Sequence, residues 1–97
     1  MSYYIYDSNG YVGDLASNKG LNDLVDFIEK YPDVEELNSL FTNGSVLKTE
    51  RLLEEIKRIG VPKNSDVRET LNNLKFMIGK SSDVIIITQE GLSLIHI

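Results

Sequence analysis

The sequence predicts an α+β fold in which an N-terminal β-hairpin, four short helices and a C-terminal strand combine, the strand completing a three-stranded sheet packed on the helices. Three observations lead there. Asn9-Gly10 lies between two runs rich in aromatic and β-branched residues, the strongest short-range hairpin signal. From Gly20 to Gly79, apolar residues recur at helical spacing in segments closed by Gly or Pro. Asp83-Val84-Ile85-Ile86-Ile87-Thr88 is an unbroken β-branched run, the mark of a strand that is central or covered on both faces.

In the hairpin, Tyr3-Tyr4-Ile5-Tyr6 leads through Asp7-Ser8-Asn9-Gly10 into Tyr11-Val12-Gly13-Asp14-Leu15. A type I′ turn at Asn9-Gly10 would set Ser8 opposite Tyr11, Tyr6 opposite Gly13 and Tyr4 opposite Leu15. Gly13 would then leave room for the Tyr6 ring. The first helix is expected over 20–30, with Leu21, Leu24, Val25 and Ile28 on one face and Pro32 as its stop. Asp33 and Glu36 have capping-box spacing and open a second helix burying Val34, Leu37, Leu40 and Phe41, which ends at Asn43-Gly44. Thr49 caps a third with Leu52, Leu53, Ile56 and Ile59 inward, closed by Gly60 and Pro62. The fourth starts near Ser65 or Asp66, carries Val67, Leu71, Leu74, Met77 and Ile78, and ends at Gly79. Arg51 with Glu55 and Glu54 with Arg58 are opposite charges four apart, the pattern of a solvated helix face.

Composition narrows the functional classes. A chain of 97 residues, 41% hydrophobic and 26% charged, suits one globular domain and is too apolar for a disordered one. It has no Cys, which excludes disulfides, thiolate metal sites and Cys nucleophiles. Fifteen acidic residues against ten basic ones give a net charge of −5, the wrong sign for neutralising phosphates. The acids are scattered among Lys and Arg, so they read as a solubility feature rather than as a mimic of DNA charge. Neither a signal peptide nor an apolar run of membrane-spanning length is visible, and a cytoplasmic location is the expectation.

After Gly91 the chain reads Leu92-Ser93-Leu94-Ile95-His96-Ile97. One frame of a widely used transposase sequencing adapter encodes that same hexapeptide. We therefore expect residues 1–91 to be a single α+β domain and 92–97 to be an adapter-derived tail on a fragmentary environmental read. His96, the one histidine, belongs to that tail.

No chemistry-bearing constellation stands out. With no Cys and a single doubtful His, a zinc site is excluded. Asp7-Ser8-Asn9-Gly10 has Gly fourth, whereas a calcium loop wants Gly sixth and Glu twelfth, where Asn18 stands here. Gly13 and Gly20 form neither a P-loop nor a dinucleotide fingerprint. The serines Ser8, Ser17, Ser45, Ser65, Ser81 and Ser82 lack a His to serve as base. Glu35-Glu36 and Glu54-Glu55 diverge by about 100° on a helix and read as surface acids. Asn43-Gly44-Ser45 matches a glycosylation sequon but reads as a turn. No catalytic residue, cofactor or metal is expected; a ligand-binding reading would need a cleft lined by Asp14, Asn18 and Lys19.

Two features could bind a partner. Strand alternation sends Tyr4, Tyr6 and Tyr11 to one face and Tyr3 and Ile5 to the other, and one of these sets must be core. An exposed Tyr4–Tyr6–Tyr11 patch would suit an interface, where aromatics concentrate binding energy. The sheet edges are the second candidate.

The string Gly10-Tyr11-Val12-Gly13-Asp14-Leu15, the Leu37…Leu40-Phe41…Asn43-Gly44 segment, the Asp66-Val67…Thr70-Leu71…Leu74 helix and the closing Ile85-Ile86-Ile87-Thr88…Gly91 together resemble small uncharacterised proteins of phages and prophages. The resemblance covers most of residues 3–91, rests on turns and core positions, and carries over no catalytic residue. It implies a mobile-element accessory protein. The expected function is thus a non-enzymatic protein-interaction or accessory role, with another protein as partner and neither nucleic acid nor membrane. An acidic inhibitor or antitoxin-like regulator docking on a basic partner is the alternative.

Overall fold

The chain brings its N-terminal and C-terminal β-rich segments side by side at the centre of one sheet. The computed structural model describes residues 2–89. Its elements run β1 (Ser2–Asp7), β2 (Gly10–Ser17), α1 (Asn18–Ile28), α2 (Glu35–Asn43), β3 (Ser45–Leu47), α3 (Glu50–Arg58), α4 (Ser65–Lys80) and β4 (Val84–Gln89). The expected tail at 92–97, with His96 and the boundary at Gly91, lies outside the described residues.

The α+β class and the four helices are as predicted, but the sheet has four antiparallel strands in the order β2-β1-β4-β3, not three. The additional strand, β3, is only three residues long, too short to show a periodicity. It exists because Gly44 takes a left-handed φ of 82°, ends α2 and turns the chain onto β4. The Gly44 carbonyl then accepts the Ile87 N–H at 2.8 Å, and Val46 pairs with Ile85. The β-branched run of β4 is explained by this central position between β1 and β3.

The hairpin forms with a different register. Asp7 pairs with Gly10 and Tyr6 with Tyr11, so the turn is centred on Ser8-Asn9 rather than on Asn9-Gly10. A type I′ turn needs positive φ at both central residues, and of Asn9 and Gly10 only Gly10 has it, at 122°. The Asp7 carboxylate accepts the Asn9 N–H at 2.9 Å, an Asx-turn that moves the bend one residue earlier. Register shifts between Ile5/Tyr6 and Tyr3/Tyr4 leave Val12 and Leu15 as extra residues, two bulges that place Gly13 opposite Ile5 and Asp14 opposite Tyr4. Gly13 therefore makes room for α4 and not for Tyr6: a Cβ there would meet Met77 Sδ at 2.8 Å.

The helices cover the sheet face that carries Ile5, Leu15 and Ile85, each of them buried. Leu24 and Ile28 of α1, Leu37 and Leu40 of α2, Leu52 of α3 and Leu71, Leu74 and Ile78 of α4 meet those residues in one cluster. Helix starts follow local capping where a cap exists. The Ser17 hydroxyl accepts the Gly20 N–H, Thr49 accepts that of Leu52, and Asn64 accepts those of Asp66 and Val67. Helix α4 runs one residue past Gly79, to Lys80, because Ser81 gives both its backbone N–H and its hydroxyl to the Met77 carbonyl. Lys48 donates to the Gly79 and Ser81 carbonyls, a cation at the negative end of that helix.

Four local expectations are overturned. Asp33 does not cap α2; it has a φ of 58°, and Val34 at the N-cap offers no side-chain acceptor. The acceptor comes from α3, where Glu55 is fully buried and takes the N–H groups of Leu37 at 2.9 Å and Glu36 at 3.3 Å. Glu55 is thus a distant cap and not a surface acid, with the predicted Arg51 partner at 3.2 Å. Gly60 does not close α3, whose C-cap is the extended Ile59; the Gly60 N–H donates to the Tyr31 hydroxyl. Arg58 donates to the Asp33 carbonyl at 2.6 Å, a backbone acceptor in place of the Glu54 partner expected at i,i−4.

Candidate interaction surface

The face of the sheet opposite Ile5 and Ile85 carries the predicted tyrosines. Tyr4 and Tyr6 alternate with Ile5 along β1, and Tyr11 pairs with Tyr6 across the hairpin. The three rings form one cluster: Tyr11 lies 6.1 Å from Tyr4 and 5.7 Å from Tyr6, both edge-on, a favourable quadrupole arrangement. Tyr11 is 59% exposed, whereas Tyr4 and Tyr6 are half-buried. Tyr3, on the other face, packs against the core.

The pairings extend this cluster across the sheet. One row reads Tyr11, Tyr6, Ile86, Ser45 and the next Asp14, Tyr4, Thr88. Val84 pairs with Leu47, which is 66% exposed. Asp14 is the one charged residue in these rows, and the Tyr11 hydroxyl donates to its carboxylate. That bond, with desolvation and the Asp14 charge behind it, pushes the Tyr11 phenol up to about 12. The surface is therefore aromatic, aliphatic and hydroxylated, on a chain whose formal charge is −5.

At one end of this face the hairpin turn is fastened to the α4–β4 junction. Asp7 accepts the Ser82 N–H at 3.0 Å, and the Ser82 hydroxyl lies within reach of Asp7 and Asp83. The Ser8 hydroxyl donates to Asp83 at 2.7 Å. The Ser82 N–H, followed by the Asn9 N–H and the Ser82 hydroxyl, holds Asp7 below its ordinary value of 3.8; the Ser8 and Ser82 hydroxyls do the same for Asp83. A carboxylate with a depressed folded pKa stabilises the fold above its unfolded value and loses that contribution as pH falls through the folded one. Asp7→Asn/Asp83→Asn should therefore lower the urea midpoint at pH 7, with the gap to wild type closing below pH 3.8. A gap as wide in acid as at pH 7 would show that these carboxylates contribute nothing as charges.

The other chemical candidates are not brought together. Among the described residues no group of three or more His, Cys, Asp or Glu is placed to hold a metal ion. A cavity of about 320 Å³ between β2 and α4 is lined by Lys19, Asp23, Asp66 and Glu69, without Asp14 or Asn18. Ser8 and Ser82 face carboxylates already engaged in holding the hairpin. The fastening itself was invisible in the sequence, because Asp7-Ser8 and Ser82-Asp83 are ordinary loop dipeptides far apart in the chain.

No protein-family model, curated protein or solved structure matches this chain. Among the described residues no helix is long and apolar enough to cross a membrane.

Proposed function

We propose that the chain is a non-enzymatic interaction protein whose protein partner seats on the open face of the sheet, centred on Tyr4, Tyr6 and Tyr11. The supporting observation is the cluster of three tyrosine rings continued by Ile86 on a face that the helices leave uncovered. Contiguous apolar surface rimmed by polar groups marks interaction sites, and tyrosine contributes large contact area at little entropic cost. The face is favoured over the edges: β2 carries two bulges and β3 has three residues, and both features blunt strand addition. The likeness to phage and prophage accessory proteins gives the reading its context, a mobile-element protein acting on a partner made beside it or in the host.

The test is affinity capture from lysate with the full chain as bait, wild type beside Tyr6→Lys/Tyr11→Lys. Tyr11 is exposed and Tyr6 half-buried, so the variant should keep the wild-type circular dichroism and melt only a few degrees lower, remaining folded at the capture temperature. A protein held by wild type should bind the variant roughly 30-fold more weakly or not at all, the loss of a hot spot. Equal retention by both chains removes the open face as the contact, and the absence of any specific protein counts against the interaction reading as a whole.

A further inference from the structure

A second surface has a different character. Between α1 and the loop that enters α4 runs a groove of about 670 Å³, within the range of ligand sites. Its wall is an edge-on pair, Phe27 and Tyr31, with centroids 5.6 Å apart. The Tyr31 hydroxyl accepts the Gly60 N–H at 3.0 Å, which holds that wall in place. Opposite stands Val61, 77% exposed.

The rim reverses the charge of the molecule. Lys19, Lys30 and Lys63 line the groove against Asp23 and Asp26, a positive balance on a chain whose formal charge is −5. Lys19 is committed to Asp23 at 2.7 Å. Lys30 and Lys63 are exposed and, among the described residues, have no ion-pair partner. From Lys19 to Ile28 the groove follows α1 for about 14 Å, the reach of about four extended residues, and Lys30 stands in the turn just beyond.

We propose that this groove binds a short acidic segment of a partner protein, an apolar side chain resting on Phe27, Tyr31 and Val61 while flanking carboxylates meet Lys30 and Lys63. An apolar floor with two unpaired lysines against the one carboxylate of Asp26 selects for that combination, and the net negative charge of the chain turns away acidic chains that lack the apolar anchor. The site is separate from the tyrosine face and does not depend on it.

The test is an amide-resolved NMR titration of the full chain with acetyl-Glu-Asp-Phe-Leu-Asp-Glu-amide, beside the same peptide with Lys at every acidic position. Shifts should gather at Phe27, Tyr31, Val61 and Lys63. Affinity should fall by about tenfold or more in Lys30→Glu/Lys63→Glu and in raised salt, fall less in Lys30→Met/Lys63→Met, and stay unchanged in Tyr11→Lys. Equal binding of the basic peptide, indifference to charge reversal, shifts confined to the open sheet face, or no saturable shift at millimolar peptide would each overturn the proposal. If 4-phenylbutyrate saturates the same amides while the peptide does not, the groove is a small-carboxylate site and the peptide assignment is wrong.

Discussion

Replacing Glu55 with Ala should cost about 3 kcal/mol, because it strands buried partners as well as removing a carboxylate. The N–H groups of Leu37 and Glu36 at the start of α2 have Glu55 as their acceptor, and Val34 supplies no alternative. A domain of this size should melt roughly 12–24 °C lower for a loss of that order. The pattern across variants is diagnostic. Glu55→Gln keeps one oxygen for the Leu37 N–H and should cost about half as much. Arg51→Ala should cost about 1 kcal/mol or less, since Arg51 is 56% exposed and its loss leaves Glu55 with both backbone donors. Urea unfolding of the three variants checks this ordering. If Arg51→Ala is as damaging as Glu55→Ala, the ion pair and not the helix cap is what stabilises this corner.

Ile85→Ala and Ile86→Ala should differ sharply although the change is the same and the positions adjoin. Ile85 is buried beneath the helices, and its truncation should cost about 2–5 kcal/mol, the removed methyl groups plus the cavity they leave. Ile86 stands half-buried on the open face beside Tyr6, and its truncation should cost about 1 kcal/mol. Measuring both by denaturant unfolding tests which face of β4 is core. It also separates stability from function, because Ile86→Ala should weaken partner capture in a chain that remains folded. Equal losses would mean that something in the folded chain covers the open face.

The parts of the fold that were legible are those written in local chemistry. Helical spacing marked every helix, and Gly44 and Thr49 signalled an end and a beginning that the structure keeps. What misled was competition between local options. Asn9-Gly10 suits a type I′ turn, yet the Asp7 side chain offered the Asn9 N–H a nearer acceptor and displaced the bend by one residue. Asp33 and Glu36 have capping-box spacing, but a carboxylate 18 residues beyond Leu37 took those donors. Such a long-range acceptor leaves no trace in spacing. The tyrosine cluster lay between the two cases. Alternation put Tyr4, Tyr6 and Tyr11 on one face, while only the strand order and the helices on the far side reveal that this face is the uncovered one. The lysine groove was wholly illegible, because it joins α1 to a loop about thirty residues away.

The pairing of β1 with β4 has a consequence for how the molecule comes into being. Ile5 meets Ile87 only after the chain has been made as far as β4, so the central ladder of the sheet closes the longest loop among the paired strands. Loop closure of that size precedes most of the rewarding contacts, which places the fold among those that assemble slowly for their length. During synthesis the hairpin must wait with its β4-facing edge unpaired, and β3 must wait without a strand to pair with. A ribosome stalled before residue 84 would therefore release material fit for chaperones or proteases, because the central ladders form only when β4 is free to slide between its two neighbours.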